Sequence, residues 1–126
     1  MKKIIETNNA PKAIGPYSQA VEANGFVFTS GQIPIDPNTG KLLNGTITEQ
    51  TIRVLKNLEA ILAAAGCNMG SVIKTTCFLK SMDDFAAMNE AYSSFFAIAP
   101  PARSTVEVAR LPKDVLVEIE AIAIKS

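Results

Sequence analysis

The segment from Pro100 to Ala123, PPARSTVEVARLPKDVLVEIEAIA, constrains the fold more than any other part of the chain. Its alternating residues predict two strands joined by a turn at residues 111–114. In the second strand one face is wholly apolar, and the other combines apolar residues with Glu118 and Glu120. A strand of this kind needs cover on both faces. Its charges therefore lie either in solvent or in a buried polar site.

We expect the two strands to pair with each other as a hairpin, in the register that brings their apolar faces together. This register places Arg103 on the same sheet face as Glu118 and Glu120. Buried charges must be paired or must meet a charged ligand, and the planar guanidinium of Arg suits either role. The residues alone leave open a structural Arg–Glu network and a ligand site.

Four further strands are predicted upstream of this segment. The pair Asn24-Gly25 is typical of a type I′ turn and predicts a hairpin of Ser18–Asn24 with Phe26–Ser30. The short run KKIIE predicts an edge strand, and the β-branched run Ser71–Lys80 predicts a longer one.

Two helices complete the pattern. Thr46 and Glu49 have the spacing of a capping box, apolar residues then recur at helical spacing, and Gly66 supplies the stop. The second helix is predicted over residues 82–99, where the run MDDFAAMNEAYSSFFAIA precedes two prolines. Strands and helices alternate without repeats, which indicates a single α+β domain over residues 1–126.

Two helices cover only one face of a sheet. The face with Glu118 and Glu120 also carries Leu116, Ile122 and Ile124, so it is too apolar for free solvent. We therefore expect an obligate oligomer in which this face packs against another subunit.

Composition narrows the chemistry. The chain has no histidine, which excludes His-based triads, His-ligated zinc and His acid–base catalysis. Twelve basic and twelve acidic residues give a net charge of zero, which disfavours nucleic acid as the primary partner. Neither a secretion signal nor a membrane span is expected, and two cysteines without CxxC spacing predict reduced thiols in the cytoplasm.

Four segments together resemble the RidA (YjgF-type) family of enamine/imine deaminases. These segments are APKAIGPYSQAV, FTSGQIPIDPNTG, MNEAYSSFF and the C-terminal stretch quoted above, in the family's order. The resemblance implies a chorismate-mutase-like fold, with a mixed sheet and two helices on one face. It also implies a homotrimer with ligand pockets between subunits, and neither metal nor cofactor.

The activity implied by the resemblance is hydrolysis of 2-imino acids, such as 2-iminobutanoate and 2-iminopropanoate, released by pyridoxal-phosphate-dependent dehydratases. Arg103 would bind the substrate carboxylate and Glu118 would activate the attacking water. The other implied substrate contacts come from Tyr17, Ser30, Gly31, Asn89 and Thr105.

One position departs from the family's pattern. Many active members carry Cys two residues after the arginine, where this chain has Thr105, so thiol chemistry is absent there. Glu120 lies on the same face as Glu118 and is the alternative water-positioning residue. Two other functions fit the residues: a 2-oxo acid sensor without turnover and, with less support, a ribonuclease or translation inhibitor.

Overall fold

Six strands form one mixed sheet in the computed structural model, which describes residues 1–126. Their spatial order is β1-β2-β3-β6-β4-β5. The strands are β1 (Lys3–Ile5), β2 (Ala20–Ala23), β3 (Phe26–Thr29), β4 (Val72–Leu79), β5 (Ala102–Glu107) and β6 (Val117–Ile124). The predicted hairpin at Asn24-Gly25 is confirmed, since β2 and β3 pair antiparallel and both turn residues have positive φ.

The longer helix, α1 (Ile47–Ala64), begins and ends where the sequence predicts. The Thr46 hydroxyl accepts the Glu49 backbone N–H at 3.2 Å, and the Glu49 carboxylate accepts the Thr46 N–H at 2.9 Å. Gly66 follows the helix with a φ of +81°, a conformation that glycine adopts without strain. The capping box is thus confirmed.

The second helix, α2 (Phe85–Ser93), is shorter than predicted. A 3-10 turn over Met82–Asp84 precedes it, where the Ser81 hydroxyl accepts the Asp83 N–H. At its far end Ser93 and Ser94 donate their hydroxyls to backbone carbonyls three residues earlier, each at 2.7 Å. Such local bonds compete with helix propagation, which explains why residues 95–99 do not continue α2.

The predicted C-terminal hairpin is wrong. β4 lies between the two strands, parallel to β5 and antiparallel to β6. The predicted turn is instead a 3-10 turn over Pro112–Asp114, within a connection that is long enough to pass over one strand. β4 occupies the central place because its buried residues extend the apolar face of β6.

The new register also corrects the face on which Arg103 lies. Thr75 of β4 pairs with Arg103 on one side and Ala121 on the other, so these three share a face. Phe78 pairs with Glu118, which puts that carboxylate on the opposite face. The prediction that Arg103 shares a face with the glutamates is therefore wrong.

Both helices cover the face of β6 that carries Ala121. This face is at most 3% exposed in β6 and packs against a row of fully buried residues in α1, Val54, Leu55, Leu58, Ile61 and Leu62. The opposite face has no cover within the chain, and it presents large apolar side chains that are 42–49% exposed, namely Ile4, Phe28, Val106 and Ile124. Neither helix has the length and apolarity needed to span a membrane.

We expect Leu58→Ala to destabilise the fold by about 2–5 kcal/mol, because it leaves a cavity at a fully buried position between α1 and the sheet. Urea unfolding at one fixed protein concentration measures the loss. Lys56→Ala on the exposed side of the same helix is the matched control and should change stability little. An equal effect of the two substitutions would contradict this placement of the core.

Candidate functional site

A cleft of about 830 Å³ brings four of the predicted site residues together. These residues are Tyr17, Ser30, Gly31 and Glu118. Glu120 does not line this cleft and is exposed on the same strand. The geometry thus distinguishes the two glutamates that the sequence left as alternatives.

The segment around Gly31 is attached to β6 beside Glu118. Gln32 and Ile119 exchange backbone hydrogen bonds of 2.8 and 3.2 Å, and the Ser30 hydroxyl donates to the Ser18 carbonyl at 2.6 Å. A Cβ at Gly31 would overlap the Glu118 carboxylate and would lie 2.9 Å from its Cδ. Glycine at this position therefore lets the Glu118 side chain lie directly against the backbone.

Glu118 is a half-buried acid without a counter-charge. Burial raises its pKa above the ordinary value of 4.5, and the nearby charge of Glu120 raises the pKa further. Neither ion pair of the chain includes Glu118. A carboxylate of this kind is a stronger base than an exposed one and is suited to accept a proton from water.

Tyr17 forms the rim of the cleft. Its side chain is 52% exposed, and its hydroxyl accepts the Ile14 N–H at 3.4 Å. About half of the residue is thus available to a ligand or to another chain.

The remaining predicted residues form a second group on β5 and α2. Arg103 donates from Nη1 to the Asn89 side-chain oxygen at 2.7 Å. Its guanidinium carbon lies 4.8 Å from the ring centre of Tyr92 and 5.5 Å from that of Phe85. Because residues 85, 89 and 92 lie on one helical face, a single surface of α2 orients the guanidinium.

Arg103 has no carboxylate partner. The chain's two ion pairs join Arg110 to Asp114 and Lys125 to Glu22. Only one of the guanidinium's five N–H groups has a side-chain acceptor, which leaves donors available for a planar anion. The structural Arg–Glu network, left open by the sequence, is not formed within the chain.

Thr105 lies two residues beyond Arg103 on the same face. Its hydroxyl oxygen is buried and has no hydrogen-bond partner. Cys77, its neighbour in β4, is fully buried, and burial raises the pKa of its thiol to about 11. This thiol is thus protonated at neutral pH and does not supply the thiol chemistry that Thr105 lacks.

The two groups of residues are far apart within one chain. Arg103 and Glu118 lie two strands apart on opposite faces, and they are offset by three residues along the strands. The usual spacing of about 4.8 Å between strands and about 3.3 Å per residue puts their Cα atoms roughly 14 Å apart. A ligand with four carbons does not reach both.

The role of the two aromatic residues beneath Arg103 is not evident from the sequence. Phe85 and Tyr92 match an ordinary apolar stripe of α2, and Tyr92 also belongs to the core. Phe85, Asn89 and Tyr92 stand at positions i, i+4 and i+7 of one helical face. The polar Asn89 within this aromatic stripe was a usable signal.

We expect the Glu118 carboxyl to titrate above pH 4.5, and Glu120→Gln to lower its pKa because one neighbouring negative charge is removed. Side-chain carbon NMR across an acid titration measures both values. The base form of Glu118 then accumulates only as the pH rises through this raised pKa. A pKa at or below 4.5 in an Arg103→Ala background, which removes the guanidinium of any second copy, would contradict the burial described above.

Comparison with known proteins places the chain in a family. The family model described as Endoribonuclease L-PSP matches residues 7–125. A RutC family protein of Pyrococcus horikoshii is 60% identical over 125 residues, which cover 99% of both chains. The 2-iminobutanoate/2-iminopropanoate deaminase of Salmonella typhimurium is 52% identical over 128 residues, also covering 99% of both.

A solved structure gives the same result. Escherichia coli TdcF, crystallised with bound serine, is 51% identical and superposes with a TM-score of 0.94, covering 98% of this chain and 99% of that one. Likeness of this extent in sequence and fold confirms the expected architecture, with a mixed sheet and two helices on one face. The chain belongs to the RidA (YjgF-type) family, which the Endoribonuclease L-PSP model also describes.

Proposed function

We propose that this protein hydrolyses reactive 2-imino acids to 2-oxo acids and ammonia. The observation that carries the proposal is Arg103, a cation that two aromatic rings and Asn89 hold in place without a carboxylate partner. A relative is named for the deamination of 2-iminobutanoate and 2-iminopropanoate, and another was crystallised with serine, which carries the same α-carboxylate. We take these short imino acids as the substrates here.

Arg103 binds the substrate carboxylate through its free N–H groups. The planar fork of Arg matches the two carboxylate oxygens and fixes the position of C2 next to them. The backbone at Thr105 and the Asn89 side chain complete this end of the site.

Glu118 acts at the other end. Its carboxylate accepts a proton from a water molecule whose oxygen attacks C2 of the protonated imine. Glu118 returns this proton to the nitrogen of the resulting carbinolamine, and the C–N bond then breaks with loss of ammonia. The C2 hydroxyl becomes the carbonyl of the 2-oxo acid as its proton passes to the ammonia, which leaves as ammonium. One water is consumed and one ammonia released, with no change of oxidation state.

Two chains supply each complete site in this proposal. Arg103 and Glu118 are too far apart within one chain, and the uncovered apolar face offers a surface on which a second copy can bury Phe28, Val106 and Ile124. The cleft of one subunit, with Tyr17 and Glu118, then faces Arg103 of its neighbour. The number of three subunits rests on the family resemblance.

A 2-oxo acid sensor is the second candidate, because the same Arg103 fork would hold a carboxylate whether or not turnover follows. A nuclease activity has less support here despite the family's description, since the net charge is zero and neither residue group forms a basic track.

The free cysteines fit a reducing cytoplasm, where we place the protein beside pyridoxal-phosphate-dependent dehydratases as protection against reactive intermediates.

We expect Arg103→Ala to raise KM about 10- to 100-fold, because charge-assisted hydrogen bonds to the carboxylate are lost. Arg103→Lys should restore little, since an ammonium neither stacks on Tyr92 nor binds a carboxylate bidentately. The assay combines threonine dehydratase, threonine and semicarbazide, which traps free imine, and follows formation of 2-oxobutanoate. Arg110→Ala is the matched control, because this exposed arginine already pairs with Asp114.

Wild-type protein that gives no protection from the trap, yet binds 2-oxobutanoate in calorimetry, would favour the sensor. Full activity of Arg103→Ala would contradict the proposed substrate clamp.

We expect Arg103→Ala and Glu118→Gln chains, each impaired at substrate concentrations near the wild-type KM, to regain activity when unfolded together and refolded as hybrids. In a random 1:1 mixture about one quarter of the sites would combine an intact Arg103 from one chain with an intact Glu118 from another. Each variant refolded alone is the control and should stay impaired. Hybrids of normal oligomeric size that gain no activity over the separate variants would show that both residues act within one chain.

A further inference from the structure

Arg103 belongs to a closed ring of contacts with two buried residues, Thr75 and Tyr92. Thr75 is the register partner of Arg103 in the parallel ladder of β4 and β5. The Arg103 guanidinium lies over the Tyr92 ring, and the Tyr92 hydroxyl is 2.7 Å from the Thr75 hydroxyl oxygen. The hydroxyl pair therefore fixes the ring relative to the same backbone that carries Arg103.

The polar character of this pair is not needed for packing. Thr75 is fully buried and Tyr92 is 5% exposed, and their hydroxyls bond to each other. Val and Phe would fill almost the same space without the cost of burying two hydroxyl groups. The Phe96 ring, 4.6 Å from that of Tyr92, already supports the aromatic ring from another side.

The ring orientation matters to the guanidinium. Attraction between a cation and an aromatic ring requires that the charge lie over the ring face. Tyr92 therefore fixes where the guanidinium lies, while the hydrogen bond to Asn89 fixes the direction of the Nη1 group. Together these two contacts determine where the free N–H groups point.

We propose that Tyr92 is a positioning residue, held by Thr75, that aligns the Arg103 fork for a planar carboxylate. The inference rests on the proposed function, because it assumes that Arg103 binds the carboxylate of the ligand. It concerns affinity for carboxylate ligands and leaves the chemistry at Glu118 unchanged.

The test compares Tyr92→Phe, Thr75→Val and the double variant in the coupled assay and in calorimetry with 2-oxobutanoate. Each single substitution should raise KM and the dissociation constant about 2- to 10-fold, the usual range for one lost hydrogen bond, and leave kcat unchanged. The double variant should be no worse than the singles, because all three remove the same bond. Tyr92→Leu, which removes the ring, should weaken binding further.

Thr51→Val is the matched control for stability. Thr51 is also fully buried, and its hydroxyl donates to the Ile47 carbonyl at 2.8 Å, remote from Arg103 in α1. This variant should lose a similar amount of thermal stability and keep the wild-type KM.

If Tyr92→Phe and Thr51→Val have the same KM, the proposal is overturned and the hydroxyl pair serves packing alone. A fall in the kcat of Tyr92→Phe at unchanged KM would also overturn the proposal. If wild type still protects 2-oxobutanoate formation from the semicarbazide trap and Arg103→Ala does not, the proposed function stands even though this inference fails. Absence of protection by the wild type would overturn both.

Discussion

The position of β4 between β5 and β6 determines how the rest of the molecule is organised. Because β4 pairs with both strands, Arg103 and Glu118 are directed to opposite faces of the sheet. One face is sealed by α1 and α2, and Arg103 lies at its edge against α2. The other face stays apolar and uncovered. The pairing of β4 with both β5 and β6 thus separates Arg103 from Glu118. It also leaves an uncovered apolar sheet face that a second copy can join.

Both charges are maintained against an energetic cost. A half-buried carboxylate without a partner and a partly buried guanidinium without a carboxylate are each less stable than the same groups in water. Stacking and Asn89 offset part of this cost for Arg103, whereas burial and the Glu120 charge act against ionised Glu118. Unpaired charges of opposite sign, each beside space for a ligand, are the arrangement expected of a site that binds a carboxylate and activates water.

Local signals in the sequence predicted the local structure well. The Thr46 capping box, the Asn24-Gly25 turn and the Gly66 stop each depend on neighbouring residues and are confirmed. The pairing of β5 was not predictable in this way, since a strand with alternating residues fits a neighbour on either side. The residues of the site came from the family resemblance, whereas their division into two groups and the support of Arg103 by Tyr92 required the three-dimensional register.

In the complete site, a single ligand is expected to contact Arg103 of one chain and to lie beside Glu118 of another. A crystal structure of the assembled protein with 2-oxobutanoate tests it most directly. We expect the ligand carboxylate on the free N–H groups of Arg103, and the C2 carbon facing a water held by the neighbouring Glu118. A ligand bound wholly within one chain, or Arg103 paired with a partner glutamate and no ligand between them, would contradict the account.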